Sequence, residues 1–549
     1  MDLTAQSGMR QKILPICWRC GDGLERHAGQ VAGFLLCCLF LIALGQSSGK
    51  FLWYDELFTL ATASFPHWRD VWDFYATGLD TGSPLPALIV HVALKLPFGP
   101  EISSRLPFTL AFLFMCLCMY SFVRQRYAPG YALGALFFPV ILDVFFYSTE
   151  ARSYALVLAG AGSAMICWQC AVTSRYRPWS ILGLWFGLAF AINAHAFAIF
   201  LFVPFALAQL LRDLRRGKPD WAVWIAIVLF PAGLLPVLTG ERLANRVYGS
   251  TFWSRPEFHL MYMSYRSFFI GQGGRGGWIL ILILMIFAVG AVILPRRNPT
   301  PSPEPETCGF SAPEWVLVAG LALLPIYALP VSYLLHVYRP RYVVSFSIGM
   351  VILLIGAAAE VALRNRHAGT ALLAIVLLTA IVHCSCPLVR GLQALVHPGR
   401  VHGQLQASYD DQPWVRLLGK SSLPIVVGDP LLYAPLEYYA QPHLRDRLYY
   451  LTDLALVEEY PGSATTQLNF QLFGKRIGYQ TMDIANFLPR NPHFLLVNGS
   501  GNLGIWLPPY LIGQEEAGNV SLQLLGPGFT SPNIYEVRFT HIPDPKCKE

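Results

Sequence analysis

Long apolar runs dominate about the first 390 residues of the chain, and short polar connections that carry arginine or lysine separate them. A helix needs about 20 apolar residues to cross the hydrocarbon core of a bilayer. Backbone groups in lipid have to be satisfied within their own segment, which favours helices. The pattern predicts a multi-span α-helical membrane protein with about eleven spans, at residues 31–50, 105–123, 130–147, 154–173, 179–195, 196–211, 221–240, 277–294, 314–335, 342–360 and 369–388.

The stretch at 84–98 is apolar enough to be considered as a twelfth span. It is short and flanked by prolines, so we expect a helix that lies in the external interface of the membrane. A span at this point would also reverse the orientation of every later segment. The Gly-rich stretch 271–277 predicts a flexible loop, and the Pro-rich stretch 295–313 predicts a cytoplasmic linker.

The hydrophobic pattern changes after about residue 389. Apolar β-rich stretches at 424–427, 493–497 and 534–537 alternate with turns, and an amphipathic stretch lies near 431–440. This alternation is typical of a small mixed α/β domain. The sequence therefore predicts three parts, namely a cytoplasmic N-terminal segment 1–30, a transmembrane domain 31–388 with an external loop 51–104, and an extracytoplasmic α/β domain 389–549.

Basic residues decide the predicted orientation. With the N-terminus in the cytoplasm, every cytoplasmic segment carries at least two arginines or lysines, as the positive-inside rule requires. The opposite orientation would export all six clusters. The loops at 51–104 and 241–276 and everything after about 389 then lie on the external face. The cytoplasmic clusters are Arg10/Lys12/Arg19/Arg26, Arg124/Arg126, Arg175/Arg177, Arg212/Arg215/Arg216/Lys218, Arg296/Arg297 and Arg364/Arg366.

Composition agrees with this class, because 54% of the residues are hydrophobic and only 13% are charged, whereas a soluble chain carries roughly a quarter charged residues. The net charge of +7 lies in the short connections, so it indicates membrane topology rather than nucleic-acid binding. Most of the twelve cysteines lie inside apolar runs and predict no disulfide framework. About thirty mostly polar residues precede the first apolar run, which favours an anchor over a cleavable signal.

Ionisable residues at the external surface are the candidates for chemistry. Asp55 and Glu56 directly follow the first span, in the sequence Trp53-Tyr54-Asp55-Glu56. One interpretation is an interfacial aromatic belt followed by a helix start that Asp55 caps. The other is a carboxylate at the membrane edge that takes a proton from an acceptor hydroxyl.

Two further clusters lie on the same predicted face. Glu150 and Arg152 follow the third span, where they form either a structural ion pair or, through Arg152, a phosphate contact. Arg339 and Arg341 open the tenth span on the external side, against the positive-inside trend, which indicates anion binding or lipid-headgroup contact. His195 closes the fifth span outside and is more often an interfacial residue than a ligand.

Four stretches resemble, in the same order, the polyprenyl-phosphate-sugar-dependent glycosyltransferases of the GT-C fold. They are Asp55-Glu56, Asp80-Thr-Gly-Ser-Pro84-Leu85, Ser104-Arg105-Leu106-Pro107 and the ten residues Tyr147–Leu156, which are the most specific. The family includes bacterial relatives of the protein O-mannosyltransferases and the aminoarabinose transferase acting on lipid A. The resemblance covers about the first 390 residues and is strongest in the first 160.

The resemblance implies an inverting transfer of a sugar from a polyprenyl-phosphate donor to an acceptor hydroxyl, at an external active site. Asp55 would be the general base, and Glu56 would orient it or share the proton network. Arg152 and Arg341 would stabilise the phosphate leaving group. The family often has a histidine or lysine where Gly82 and Ser83 stand here. The expected substrate-binding residues are Asp80, Arg105, Glu150, Arg152, Tyr154, His195, Arg339, Arg341 and Tyr342.

The partners implied are a lipid-linked sugar donor, an acceptor that is protein, lipid or glycan, and membrane lipid, in a bacterial inner or plasma membrane. An Asp-Glu pair can hold a divalent ion, but no histidine cluster accompanies it, and no cofactor is expected. The alternatives are a polyprenyl-lipid flippase or transporter, which should show an inverted repeat, and an enzyme of the O-antigen ligase or polymerase type. The sugar, the prenyl chain length and the acceptor are left open.

Overall fold

A computed structural model describes the chain from residue 3 to residue 542 with internal gaps, which are residues 79, 81, 174–175, 236, 249–254, 271–308, 365–391, 394, 398–399, 461–463, 500–504 and 527–531. The predicted spans 277–294 and 369–388, the Gly-rich stretch and nearly all of the Pro-rich linker fall in these gaps. Those predictions therefore lie outside the described residues.

Helices dominate the described chain up to residue 364, and further helices flank the strands after it. Short 3-10 segments at Phe138–Ile141, Asp143–Thr149, Ala196–Leu201, Phe230–Leu234 and Pro340–Val343, and a π-helical turn at Phe470–Gly474, connect or extend them. The helices are α1 (Leu3–Ser48), α2 (Tyr54–Ala63), α3 (Trp68–Ala76), α4 (Pro84–Ala93), α5 (Pro100–Arg124), α6 (Pro129–Phe137), α7 (Tyr154–Thr173), α8 (Arg177–Ala194), α9 (Phe202–Arg216), α10 (Trp221–Leu229), α11 (Leu238–Tyr248), α12 (Phe258–Ile270), α13 (Ala312–Ala322), α14 (Leu324–Leu335), α15 (Phe346–Arg364), α16 (Val401–Asp410), α17 (Pro413–Gly419), α18 (Pro430–Tyr439), α19 (Pro442–Arg445), α20 (Leu454–Glu459), α21 (Ala464–Asn469), α22 (Ile484–Phe487) and α23 (Leu507–Glu516).

Among the described residues, four helices are long and apolar enough to cross a membrane, at Arg26–Ser48, Pro100–Arg124, Tyr154–Val172 and Ala196–Arg216. Three bent pairs raise this number to seven if each pair is one span. The pairs coincide with the predicted spans 130–147, 221–240 and 314–335, and they bend by 72°, 57° and 51°. Pro139 lies beside the first break and Pro325 beside the third, and proline cannot donate a helix hydrogen bond.

The predicted span at 179–195 coincides with α8, and the one at 342–360 with α15, whose apolar part is Phe346–Val361. The stretch at 84–98, expected to be a short helix rather than a span, contains α4, which ends at Ala93. Ser83 caps α4, since its hydroxyl accepts a hydrogen bond from the Leu85 amide, and Pro84 occupies the first helical position.

A six-stranded sheet forms the core of the region after residue 400, in the order β3-β2-β1-β4-β6-β5. Strands β1, β2, β3 and β4 pair in parallel, and β6 and β5 continue the sheet antiparallel. The central pair joins Val426 to Leu496, and these residues are buried because helices cover both faces of a parallel sheet. The strands are β1 (Ile425–Val427), β2 (Leu448–Thr452), β3 (Thr481–Asp483), β4 (His493–Asn498), β5 (Val520–Gly526) and β6 (Asn533–Phe539).

Aromatic side chains join this sheet domain to the helices of the 51–104 loop. Phe58 on α2 stacks on Phe473 with ring centroids 4.3 Å apart, and Phe74 on α3 meets the same ring edge-on at 4.7 Å. Tyr54 stacks on Phe470 at 6.1 Å. Because aromatic pairs bury large areas in defined orientations, the sheet domain holds the start of α2 in one place.

Helices α7 and α8 approach each other at two glycines. A methyl group added to Gly160 would lie 2.6 Å from the Gly187 carbonyl oxygen, and one added to Gly187 would lie 2.8 Å from the Gly160 carbonyl oxygen. Neither position has room for a side chain. Small residues that let two helix backbones touch are a common packing device in membranes.

Candidate functional site

Two neighbouring carboxylates, Asp55 and Glu56, lie at the start of α2 and have different surroundings. Glu56 is fully buried, as is Arg105 on α5. Arg105 donates from Nε and Nη2 to the two carboxylate oxygens of Glu56, at 2.8 and 2.6 Å. Glu56 also accepts a hydrogen bond from the Ala151 amide at 2.8 Å. Burial, the largest single influence, would raise the pKa of Glu56, but Arg105, Lys50 and the Ala151 amide together lower that pKa below its ordinary value.

Arg105 also fixes the chain between the first span and α2. Its Nη1 donates to the carbonyl oxygens of Ser47 and Lys50 at 2.9 and 2.7 Å, and its Nη2 donates to that of Phe51 at 2.9 Å. Every donor direction of the guanidinium is therefore directed at protein oxygens. The pair of Arg105 and Glu56 is a closed clamp, with no face toward the cavity described below.

Asp55 faces the other way and meets two arginines. Its Oδ2 atom lies 3.4 Å from Nη2 of Arg152, at the start of the segment that leads into α7, and 3.4 Å from Nη1 of Arg341. The side chains of Asp55, Arg152 and Arg341 are 17%, 27% and 24% exposed. Unlike the clamp, this cluster is open to a ligand.

The arginines of this cluster stay charged. Burial alone would lower the pKa of Arg152, yet Asp55 and Tyr154 raise it above its ordinary value. The same balance holds for Arg341, whose pKa is raised by Tyr154 and Asp55 against the effect of burial. The Arg341 guanidinium lies over the rings of Tyr154 and Trp53, 5.7 and 5.9 Å from their centroids, an arrangement that favours a cation.

Glu150 is buried behind this cluster. Its Oε1 atom lies 3.9 Å from Nζ of Lys50, and Lys50 also donates to the Thr149 carbonyl at 3.4 Å. Burial, together with Glu56 and Asp55 nearby, raises the pKa of Glu150 to about 7, although Lys50 acts in the opposite direction. The sequence left open a Glu150–Arg152 pair, but in the structure Arg152 forms its ion pair with Asp55 instead.

A cavity of about 920 Å³ begins beside Arg152. Its polar part includes Asp80 and Thr59, and its apolar part includes Phe200, Leu234 and Leu335. Such a mixture of a few polar groups and a large apolar wall is typical of ligand sites. Further lining residues are Tyr75, Gly82, Ser83, Ser153, Tyr154, His195, Phe197, Ile199, Leu238, Arg242, Asn245, Arg246, Leu334, His336 and Tyr342.

Several buried polar atoms of this region make no hydrogen bond within the described part of the chain. They are Nε1 of Trp53, Oδ2 of Asp55, Oε1 of Glu150 and Nε of Arg152. Buried polar atoms in native proteins nearly always have a partner. Their concentration around one ion cluster indicates a ligand with both acceptor and donor atoms.

The structure brings most of the predicted site residues together. Asp80, Arg152, Tyr154, His195 and Tyr342 line the cavity. Asp55 and Arg341 are not among its lining residues, but Asp55 pairs with both Arg152 and Arg341. The His195 ring packs between the rings of Tyr154 and Tyr342, at 5.8 and 4.8 Å. Its Nδ1 atom accepts a hydrogen bond from the Phe197 amide.

Three predicted residues lie elsewhere. Glu56 and Arg105 form the closed clamp, and Arg339 is half-buried beside the cluster, where burial lowers its pKa. The assignment of Glu56 to catalysis and of Arg105 and Arg339 to substrate binding stays a prediction. Within the described part of the chain, no three or more His, Cys, Asp or Glu side chains lie close enough together to hold a metal ion.

Sequence reasoning missed Arg242 and Arg246, which both line the cavity from α11. They are four residues apart and therefore lie on one face of their helix. Two arginines in a segment predicted to be external are a signal of the same kind as Arg339 and Arg341. His336, which also lines the cavity, ends α14 in the left-handed conformation, with φ of 55°.

No family model matches the sequence, and no curated protein matches it. The crystal structure of ArnT from Cupriavidus metallidurans bound to undecaprenyl phosphate is similar to this chain, with a TM-score of 0.52 and 13% identity, over 94% of this chain and 99% of that chain. The apo crystal structure of the same protein gives a TM-score of 0.49 and 13% identity, over 93% and 98%. The chain has the ArnT fold.

ArnT is a lipid A aminoarabinose transferase of the GT-C fold. The ArnT-like fold confirms the fold class that the sequence predicted, a GT-C-like arrangement of membrane helices with a small sheet domain near the C-terminus. At 13% identity the likeness carries the fold and no residue roles. The apolar helices and the ArnT-like fold together make this chain an integral membrane protein.

Proposed function

We propose that this protein is a membrane glycosyltransferase that moves a sugar from a polyprenyl-phosphate donor to an acceptor hydroxyl, with inversion at the anomeric carbon. The observation that carries the proposal is the open cluster of Asp55, Arg152 and Arg341 beside a large, mostly apolar cavity. In this cluster, Oδ2 of Asp55 and Nε of Arg152 are buried and make no hydrogen bond to a described residue. A fold crystallised with undecaprenyl phosphate in ArnT supports it.

Arg152 and Arg341 would hold the donor phosphate. A guanidinium matches phosphate oxygens in geometry and charge, and two of them compensate for the cation that is missing at Gly82 and Ser83. The apolar wall with Leu234 and Leu335 fits the first isoprenoid units of the lipid. Arg242 and Arg246, at the same cavity, extend the positive surface available to an anionic substrate.

Asp55 would act as the general base. It takes the proton of the acceptor hydroxyl while the hydroxyl oxygen attacks the anomeric carbon, and the bond between that carbon and the phosphate oxygen breaks. The polyprenyl phosphate leaves as a monoester anion, so no acid has to protonate it. One base without a second carboxylate nucleophile favours a single displacement, which inverts the configuration.

The ion pairs of Asp55 give this mechanism an order. Without substrate, its carboxylate occupies the position between the two arginines that an anion would take. A phosphate placed there competes for the same guanidinium hydrogens and frees Asp55 to accept a hydrogen bond from the acceptor. Donor binding therefore precedes activation of the base, and we expect the acceptor to bind productively only after the donor.

The proposed orientation has the site and the sheet domain outside the cytoplasm, because a lipid-linked donor suits a compartment without nucleotide sugars. Ser521 in the sheet domain and Lys218 after α9 are both exposed. In a background without accessible cysteines, a membrane-impermeant thiol reagent should label Ser521→Cys in intact cells. It should label Lys218→Cys only after the membrane is opened, and the reverse pattern contradicts the orientation.

The function is tested with the purified full-length protein and synthetic polyprenyl phosphates that carry single sugars. We expect release of polyprenyl phosphate that depends on the protein, and mass spectrometry of lipid copurified with it should detect a glycosylated polyprenyl phosphate. A protein that carries a polyprenyl lipid but never cleaves the sugar bond, with any acceptor fraction from the cell envelope, contradicts the enzyme and favours lipid transport.

A further inference from the structure

We propose that Tyr439 of the sheet domain is a positioning residue for Asp55, which it holds in place through the backbone of Leu52. The inference rests on the proposed function, since Asp55 is the base of that reaction. Tyr439 lies at the end of α18, far from Asp55 in sequence, and is fully buried. Tyr439 therefore connects the sheet domain to the segment that carries Asp55. The sequence alone leaves the role of the sheet domain open.

The Tyr439 hydroxyl makes two hydrogen bonds of opposite direction. It accepts one from the Leu52 amide at 3.0 Å and donates one to Oε1 of Glu101 at 3.2 Å. A phenol has one hydrogen to donate and lone pairs to accept, so both bonds are made at once. Burial and the nearby Glu101 carboxylate raise the pKa of Tyr439, which keeps its hydrogen in place.

Glu101 holds the Tyr439 hydroxyl in a fixed position. It is fully buried in the first turn of α5, and the same carboxylate oxygen accepts from His402 of α16, with Nδ1 2.7 Å away. The helix that carries Glu101 also carries Arg105, which holds the carbonyl oxygens of Ser47, Lys50 and Phe51. The segment before α2 is therefore held by its carbonyls through Arg105 and by an amide through Tyr439.

Packing adds to the hydrogen bonds. The ring of Phe51 meets the rings of Tyr409 and Tyr439 edge-on, with centroids 5.3 and 5.2 Å away, and Leu52 is fully buried. The next amide along the chain, that of Trp53, donates to Glu56 at 3.4 Å. Three consecutive residues before Tyr54 are thus fixed, and the direction in which α2 presents Asp55 follows from them.

The position of Asp55 has little tolerance. Its two ion-pair distances are both 3.4 Å, and a displacement of about 1 Å at a reacting group can cost on the order of 100-fold in rate. Loss of the Tyr439 hydroxyl removes the acceptor for the Leu52 amide without removing the ring. The segment then loses the hydrogen bond that holds its Leu52 amide, while the cavity and its arginines are untouched.

The test compares Tyr439→Phe with Tyr433→Phe in the full-length protein in detergent. Tyr433 is a matched control, because it lies on the same helix, is equally buried, and accepts a backbone hydrogen bond from the Gln480 amide inside the sheet domain. We expect Tyr439→Phe to lower kcat roughly 10- to 100-fold with an unchanged KM for the donor. Tyr433→Phe should leave kcat unchanged.

Hydrogen–deuterium exchange gives a readout that needs no activity. Tyr439→Phe should speed exchange in a peptide that covers residues 50–57 and leave one around Gln480 unchanged, whereas Tyr433→Phe should do the reverse. Glu101→Gln, which keeps an oxygen that can accept from Tyr439, should have a smaller effect than Tyr439→Phe in both assays, and it serves if Tyr439→Phe fails to fold.

Unchanged exchange at residues 50–57 in Tyr439→Phe overturns the proposal that Tyr439 holds this segment in place. Faster exchange there with unchanged kcat overturns the positioning role and leaves a structural contact. Equal losses of kcat in Tyr439→Phe and Tyr433→Phe also overturn it, because they would report general damage to the sheet domain. A wild-type protein without any transfer activity instead contradicts the proposed function, and the exchange data then still decide whether Tyr439 holds the segment.

Discussion

Asp55 and Glu56 are neighbours in sequence, yet they belong to two different kinds of ion cluster. Glu56 is closed, since a single fully buried arginine and two backbone amides occupy its oxygens. Asp55 is shared between two partly exposed arginines at 3.4 Å and still has a buried oxygen without a hydrogen bond. The first cluster has nothing left to offer a ligand. In the second, Nε of Arg152 makes no hydrogen bond to a described residue, and Oδ2 of Asp55 is held only by its two ion pairs.

The difference shows that hydrogen bonding distinguishes a structural ion pair from a candidate site. In a structural pair, the polar atoms are all hydrogen-bonded within the protein. When one partner of a buried ion pair is removed, the other charge is left uncompensated, and the protein becomes less stable. A cluster at a cavity can lose a member and stay folded, so the cost appears as activity. Substitutions on the two sides should therefore have different readouts, and the following predictions use that contrast.

The largest expected effect is on activity, from Asp55→Asn. The amide keeps the size of the side chain but cannot take a proton, so the transfer rate should fall by roughly 10²–10⁴-fold, while donor binding is retained. The measurement is single-turnover transfer together with the affinity for polyprenyl phosphate. A variant that turns over at the wild-type rate would make Asp55 a helix-start residue and nothing more.

On the other side of the comparison, Glu56→Ala should mainly unfold the protein. It leaves Arg105 buried without its carboxylate, at a cost of about 3–5 kcal/mol for a broken buried pair. The check is thermal stability in detergent alongside transfer by the fraction that stays folded. If the folded fraction is inactive and as stable as the wild type, Glu56 is a member of the reacting site and the contrast with Asp55 fails.

The variant Arg152→Lys should fold normally but transfer the sugar poorly. A lysine supplies one charge but not the forked donor set, and hydrogen bonds to charged groups contribute about 1.5–3 kcal/mol each. The double variant Arg152→Ala with Glu150→Ala is the matched control for the ion-pair interpretation. If that double variant is stable and active, Arg152 only balances the charge of nearby carboxylates and is removed from the site.

The smallest expected effect is the pH dependence contributed by Glu150. Its pKa is raised to about 7, first by burial and then by Glu56 and Asp55, so between the ordinary value near 4.5 and 7 the folded state binds more protons than the unfolded state. The stability should therefore fall as the pH rises through this window, by about 1–3 kcal/mol. Thermal melting from pH 5 to 7.5 measures this slope.

Glu150→Gln is the control for that slope, because the amide is isosteric and does not titrate. We expect the variant to be more stable than the wild type at pH 7.5 and similar at pH 5. An identical pH dependence in both proteins would show that Lys50, 3.9 Å from Glu150, keeps the carboxylate charged throughout and that burial is the weaker influence.

The pattern of the sequence was sufficient for the fold class, and several of the residues it singled out lie around one cavity. Apolar runs gave helices at 26–48, 100–124 and 154–172, and the stretches at 424–427, 493–497 and 534–537 became β1, β4 and β6. The sequence analysis did not predict the other three strands; of these, β3 has only three residues and β5 is half-exposed. Bends at prolines were also invisible to a count of apolar residues.

Within the site, sequence identified the residue types but not their directions. Successive residues on a helix differ by about 100° in direction, so the pair Asp55-Glu56 alone does not say which carboxylate meets Arg152 and Arg341. The partner of Arg152 was likewise undetermined, since Glu150 is near in sequence and Asp55 is near in space. Contacts over such separations come from tertiary packing, which no local pattern encodes.

The contact of Gly160 with Gly187 has a mechanical consequence for this site. Arg152 and Tyr154 stand at the start of α7 and His195 at the end of α8, so the two helices end at the same wall of the cavity. Gly160 lies six residues from Tyr154, about 9 Å along the helix. A methyl group at either glycine would push α7 and α8 apart and widen that wall of the cavity. A backbone contact within the membrane domain therefore sets the width of the cavity.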